Sequence, residues 1–200
     1  VSEAAALLAA GVHAQSGPKV VPSVALSLTA TDNRDLSTSN PQADLITLSR
    51  KDESGYNDTG VVAGTPRILD APGEYEIGGI LVTGVATKTA SGERNVAFVI
   101  EVDGIRVGHL GLIGGPPPAS AVSQLGKIDV LLLPTGGVNA LTAKAAQDLM
   151  TSIDPSIAIP MNYKTEQESL ELDGLEAFQK ETGAKPTASA KLQVTKSQLP

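Results

Sequence analysis

Two pairs of apolar segments, each joined by a two-residue turn, constrain the fold of this chain more than any other feature. Gly78-Gly79 lies within the first pair and Asp103-Gly104 within the second. Dipeptides of this kind favour the tight turns of antiparallel hairpins. The flanking segments are residues 74–77 and 80–87 in the first pair, and 95–102 and 105–110 in the second. The middle of the chain is therefore predicted to be a sheet built from hairpins.

Strand-like and helix-like segments alternate after the second hairpin. Continuous apolar runs predict strands, and apolar residues at helical spacing predict amphipathic helices. The predicted strands are 129–133, 156–160 and 192–195, and the predicted helices are 120–125, 142–150 and 168–180. Hairpins followed by strand-helix repeats suit two packed sheets with helices outside. The expected fold is an α/β sandwich with four layers in the order αββα.

The first third of the chain is less regular. Residues 2–10 have helix-forming composition and precede Gly11, which predicts a short helix. Strands are predicted at 24–28, 43–48 and 65–69. A length of 200 residues suits one domain, so residues 1–200 are interpreted as a single unit.

Composition excludes several classes of function. The formal net charge is −7 and lysine and arginine do not cluster, which argues against binding of nucleic acid. The absence of cysteine excludes disulfides and thiolate metal sites. No apolar run reaches the roughly 18 residues that a membrane span needs. We expect a cytoplasmic protein, with an exported one as the alternative because residues 4–14 are rich in alanine and leucine.

Three segments carry a resemblance to a known family. Residues 65–77 read TPRILDAPGEYEI, residues 108–111 read GHLG before DVLLLPTGG at 129–137, and residues 157–165 read IAIPMNYKT. They resemble, in order and spacing, a bacterial branch of zinc-dependent hydrolases with the metallo-β-lactamase fold. The resemblance covers roughly residues 43–200, and residues 1–42 match poorly. It implies the same αββα fold.

The metal-binding positions of that family are occupied differently here. The family carries H-x-H-x-D-H after its first matched strand, whereas residues 48–59 read LSRKDESGYNDT and contain no histidine. The residues that the resemblance places at former metal positions are Arg50, Asp52, Gly55, Lys88, Leu112 and Asn162. A dinuclear zinc site needs several imidazoles and a bridging carboxylate. The expectation is a degenerate member with no metal and no other cofactor.

Two further residues are predicted to line the former active-site cleft. Lys51 follows Arg50 directly, and His109 stands in the matched GHLG string. A single histidine at the end of a buried strand is more often a hydrogen-bonded structural residue than a ligand or a base. His109 is therefore interpreted as structural.

Loss of the metal shell predicts a non-catalytic role. The expectation is a structural or protein-interaction subunit that binds a protein partner or a second copy of itself. One alternative is a metal-dependent or repurposed hydrolase that acts in the same cleft, where Asp52, Lys88, His109 and Asn162 would converge. A second alternative is a small-anion binding protein, whose cationic wall would be Arg50, Lys51 and Lys88.

Overall fold

The structure is a computed structural model that describes residues 5–10, 26–31, 45–51, 64–138, 140–164, 171–184 and 194–199, the first two ranges as backbone only. The elements in chain order are strands β1 (Ala5–Ala10), β2 (Leu26–Thr31), β3 (Leu45–Thr47), β4 (Arg67–Leu69), β5 (Gly73–Ile77), β6 (Ile80–Lys88), β7 (Arg94–Val102), β8 (Ile105–His109), helix α1 (Ala119–Leu125), β9 (Val130–Pro134), α2 (Ala143–Ile153), β10 (Ile157–Met161) and α3 (Leu175–Thr182). A 3₁₀ turn at Lys196–Gln198 follows.

A six-stranded sheet forms the centre of the molecule. Its strand order is β10-β9-β8-β7-β6-β5, with β5 to β8 antiparallel and β8, β9 and β10 parallel. Among the described residues, β3 and β4 form a parallel pair and β1 and β2 an antiparallel pair. The carboxyl ends of β8, β9 and β10 consequently lie at one edge of the sheet.

The two faces of the sheet pack against different partners. On one face, Leu131 and Leu133 of β9 pack with helix residues such as Ala146, Leu149 and Phe178. On the other face, sheet residues pack with Leu45 and Leu69 of the small β3–β4 pair. Helices therefore cover one side of the sheet and a second sheet covers the other. This arrangement confirms the predicted metallo-β-lactamase type of fold.

The hairpin turns explain why the sheet was predictable. Gly78 and Gly79 have φ of 58° and 83°, and Asp103 and Gly104 have φ of 50° and 71°. Positive φ at both central residues is the signature of the turn whose twist matches that of paired strands. Both predicted hairpins are confirmed, as β5–β6 and β7–β8.

The helices differ from the predictions mainly at their ends. Helix α2 begins after Thr142, whose side chain accepts a hydrogen bond from the Ala145 N–H, and ends at Ile153, three residues later than predicted. Helix α3 begins only at Leu175, and residues 171–174 are not helical. Gly183 ends α3 in the left-handed conformation that glycine adopts readily. No described helix is long and apolar enough to cross a bilayer.

Two terminal predictions were wrong. Residues 5–10 form a strand rather than a helix, because they pair with β2 from Ala5 opposite Thr31 to Ala10 opposite Leu26. Residues 194 and 195 are not a strand but lead into the 3₁₀ turn, where Thr195 and Gln198 form a capping box. The rest of the predicted last strand, residues 192–193, lies outside the described residues. In both places tertiary or local polar contacts outweigh composition.

Candidate functional site

The carboxyl ends of β6, β8, β9 and β10 lie at one edge of the central sheet, and the residues after β3 pack there against the segment after β8. We call this group the strand-end site; it comprises Ser49 to Lys51, Lys88, Gly111 to Ile113, Thr135, Gly136 and Asn162. Four of the positions singled out by the sequence, Arg50, Lys88, Leu112 and Asn162, belong to it. Asp52 and Gly55 lie outside the described residues.

A close contact joins the segments that follow β3 and β8. Gly111 has φ of 61°, and a Cβ built on it would lie 2.6 Å from the Ser49 Oγ and 2.5 Å from the Asn95 Oδ1. Only glycine fits this crossing without displacing a neighbour. Arg50 and Leu112, the next residues on each segment, therefore lie on neighbouring segments.

Hydrogen bonds made by the Asn95 side chain hold the segment after β8 in place. It is completely buried. Its side-chain amide donates hydrogen bonds to the Thr87 Oγ1 at 2.6 Å and the Leu110 carbonyl at 2.9 Å. Its Oδ1 accepts a bond from the Leu112 N–H at 3.0 Å. Sequence analysis missed this residue, because its role depends on contacts between strands that no local motif reveals.

The ends of β6 and β10 complete the edge. The Gly114 N–H donates to the Lys88 carbonyl at 3.0 Å, which places the segment after β8 beside the end of β6. At β10, Asn162 has φ of 51°, an uncommon value for a residue with a side chain. The Asn162 carbonyl occupies the space that a Cβ on Gly136 would need. Asn162 is thus packed against the segment that follows β9.

Two of the cations predicted for this region form ion pairs. The buried Arg50 guanidinium bonds the Glu93 carboxylate at 2.9 Å. Lys51 lies 3.2 Å from the Asp70 carboxylate. Lys88 is exposed and has no ion-pair partner among the described residues. Sequence analysis missed Glu93, which the turn between β6 and β7 brings to Arg50.

His109 lies deeper, on β8 opposite Phe98 and Leu132. Both ring nitrogens are buried, and neither has a hydrogen-bond partner among the described residues, so the hydrogen bond predicted for this histidine stays a prediction. Burial lowers the pKa of His109 to about 4, because the charged imidazolium would lose its hydration. The Oγ of Ser49 and the Oγ1 of Thr135 are likewise buried without a partner. Such groups usually bond to water or a ligand.

Comparison with known proteins places the chain in a family. A family model described as the beta-lactamase superfamily domain matches residues 23–162. The chain belongs to this superfamily. Among solved structures, a candidate Zn-dependent hydrolase of the metallo-β-lactamase superfamily from Thermotoga maritima is 34% identical over 70% of each chain, with a TM-score of 0.63.

Curated members of the superfamily also resemble the chain. A UPF0173 protein of Pyrococcus furiosus is 36% identical over 104 residues, which are 52% of this chain and 48% of that protein. A UPF0173 metal-dependent hydrolase of Thermoplasma acidophilum is 35% identical over 111 residues, or 51% and 48% of the two chains. The chain thus spans about half the length of the curated relatives it matches.

These relatives correct the functional expectation. The Thermoplasma acidophilum protein is named a metal-dependent hydrolase, and the Thermotoga maritima structure carries a similar description. The prediction of a non-catalytic structural or interaction subunit is therefore wrong, and the hydrolase alternative is favoured. The expectation rested on the absence of histidine from residues 48–59, and this absence does not by itself exclude hydrolysis.

The described residues do not fit the dinuclear metal centre that the superfamily implies. Within the described ranges, no three histidine, cysteine, aspartate or glutamate side chains are grouped to hold a metal ion. Arg50 and Lys88 are cations and would repel a dication, while Leu112 offers no donor atom. The Asn162 amide oxygen is a weak ligand for zinc compared with imidazole. No catalytic step is therefore assigned to a metal here.

Proposed function

We propose that this protein is a hydrolase whose reaction takes place at the strand-end site and uses protein side chains where its relatives use metal ligands. The observation that carries the proposal is the 34% identity to the Thermotoga maritima structure over 70% of each chain. The part of the proposal that concerns metal rests on the identities of Arg50, Lys88, Leu112 and Asn162.

Hydrolysis of an ester, amide or phosphoester builds negative charge on an oxygen atom in the transition state, and fixed donors near that oxygen lower the barrier. In this proposal the Asn162 amide supplies such a donor. Asn162 suits the role because the packing of its backbone against Gly136 restricts its position. The buried ion pair of Arg50 with Glu93 holds the end of β3 in place.

The attacking water also needs a base, and Asp173 is our candidate. Its N–H donates to the Gly136 carbonyl at 2.8 Å, and its carbonyl accepts from the Lys164 N–H at 2.9 Å. These bonds hold Asp173 beside the segments after β9 and β10. Its side chain is exposed, and one carboxylate oxygen would lie 2.8 Å from a Cβ on Gly137. A carboxylate so placed can accept a proton from water.

The experiment is a hydrolysis assay of the purified protein with EDTA present. The substrates are 4-nitrophenyl acetate, bis(4-nitrophenyl) phosphate and a chromogenic cephalosporin, which represent esters, phosphodiesters and lactams. We expect turnover of at least one class above the rate with heat-denatured protein. Asp173→Asn should lower that rate roughly a hundredfold if it removes the general base. Asp148→Asn, on the exposed side of α2, is the matched control and should retain the rate.

Two results would overturn this function. If no substrate is turned over, hydrolysis at this site is refuted for these three classes. If EDTA abolishes turnover and zinc restores it, hydrolysis stands but the assignment of protein side chains in place of metal fails. Circular dichroism of each variant shows whether a loss of rate reflects a loss of fold.

A further inference from the structure

We infer that the strand-end site binds an anionic group of the ligand, a carboxylate or a phosphoryl group, between Lys88 and the segment Ser49–Arg50. The inference rests on the proposed function for calling that ligand a substrate. Anion binding itself can be measured without turnover.

The first argument is a reversal of charge. In the resemblance that the sequence carries, this place is built from imidazoles and a bridging carboxylate, a set that attracts cations. In this chain it carries Arg50 and Lys88, with the neutral Leu112 at the bridging position. The Glu93 carboxylate balances the charge of Arg50, so Lys88 supplies the net positive charge at this place. The ligand that complements such a set is an anion.

The second argument is the path of contacts that joins the two cations. Lys88 ends β6, and the next residue, Thr89, accepts a hydrogen bond from the Glu93 N–H at 3.2 Å. The Glu93 carboxylate in turn bonds the Arg50 guanidinium at 2.9 Å. The turn from Thr89 to Glu93 therefore brings the end of β6 to the end of β3. The two cations border the same short stretch of backbone.

The third argument is that this stretch contains donors suited to an anion. The Ser49 hydroxyl is buried beside Gly111 and has no hydrogen-bond partner within the described part of the chain. A buried hydroxyl without a partner costs stability unless a ligand or a water molecule bonds it. The Lys88 ammonium is exposed and lacks an ion-pair partner among the residues that the structure describes. The Ser49 hydroxyl thus lies within the site, and the Lys88 ammonium lies at its margin.

The test is titration calorimetry of the complete chain with inorganic phosphate and, separately, with acetate, at low ionic strength. We expect saturable binding of at least one anion that weakens as sodium chloride is added. Lys88→Gln should weaken it about tenfold, the effect of losing one charge-assisted hydrogen bond. Lys180→Gln, in the last turn of α3, is the matched control and should bind as the parent does.

Each outcome of the titrations either supports or overturns the inference. Binding of phosphate alone assigns a phosphoryl group, binding of acetate alone assigns a carboxylate, and binding of both supports the general anion site. No binding of either, or equal binding by the parent and Lys88→Gln, overturns the inference. Anion binding without any turnover would refute the hydrolase and leave this site intact. Turnover of a neutral ester without anion binding would support the hydrolase and refute the anion site.

Discussion

At Gly111 the backbone adopts a φ of 61°, and a Cβ built on this residue would overlap Ser49 and Asn95. Two demands meet at this residue, a left-handed conformation and the absence of a side chain. Gly79 has the first demand without the second, since its φ is 83° and nothing lies within 4 Å of a built Cβ. Substitutions at Gly111 and Gly79 therefore separate the free-energy cost of a left-handed conformation from the cost of steric overlap.

Gly111→Ala is expected to destabilise the protein more than Gly79→Ala. Both variants bear the strain of positive φ, about 1–2 kcal/mol. Gly111→Ala also forces Ser49 and Asn95 apart, which should add about 1–3 kcal/mol. Urea unfolding of the two variants and the parent measures the difference. Equal losses would show that the crossing of the two segments relaxes freely.

Asn95→Ala is expected to cost about 2–4 kcal/mol. The change leaves the Leu110 carbonyl and the Leu112 N–H without their buried partner, and each unsatisfied group costs about 1–3 kcal/mol. The local effect can be checked by hydrogen exchange at the Leu112 amide, which should lose protection. Gln147→Ala, on a less buried part of α2, serves as the control. Unchanged exchange at Leu112 would contradict the role given to Asn95.

The elements show how far sequence reasoning reaches. The hairpins were predictable because turn chemistry at 78–79 and 103–104 is local. Strand β1 was not, because its extended form depends on pairing with β2 some twenty residues later. In the site, the resemblance identified the positions Arg50, Lys88, Leu112 and Asn162. Their partners Glu93 and Asn95 come from strand pairing and carry no motif, so only the structure reveals them.

The start of α2 offers a test at the level of one element. Thr142 caps the helix by accepting a hydrogen bond from the Ala145 N–H at 3.3 Å. Thr142→Ala should lower the free energy of unfolding by about 1 kcal/mol. Thr151→Ala, which removes a hydroxyl bonded to the Gln147 carbonyl within the same helix, should cost less. Thermal unfolding of both variants tests the order, which would be reversed if the cap contributed nothing.

At the scale of the whole molecule, one buried carboxylate joins distant parts of the chain. Asp129, directly before β9, accepts a hydrogen bond from the Arg106 N–H at 2.9 Å. It also accepts bonds from the Lys196 ammonium at 3.2 Å, across 67 residues. Burial by itself raises the pKa of Asp129, but these donors outweigh it and hold the pKa below the ordinary value of 3.8. The 3₁₀ turn is thereby tied to the sheet.

The hydrogen bonds that Asp129 accepts should make the free energy of unfolding depend on pH in a defined direction. Because the folded-state pKa of Asp129 is lowered, its contribution is fully present above the unfolded value near 3.8 and is lost as pH falls through the folded value. The parent should therefore be more stable than Asp129→Asn at pH 7. This gap in the free energy of unfolding should narrow below pH 4. Urea unfolding across this range measures the gap. A gap that does not change with pH would exclude an ionised Asp129 as its source.

The ion pair between Arg50 and Glu93 also bears on what the protein requires from the cell after synthesis. A zinc ion must be acquired after synthesis and can be withdrawn by any stronger ligand. A guanidinium is part of the polypeptide and stays charged at every physiological pH. The ion pair that holds the end of β3 is thus complete as soon as the chain folds, whatever the local availability of metals.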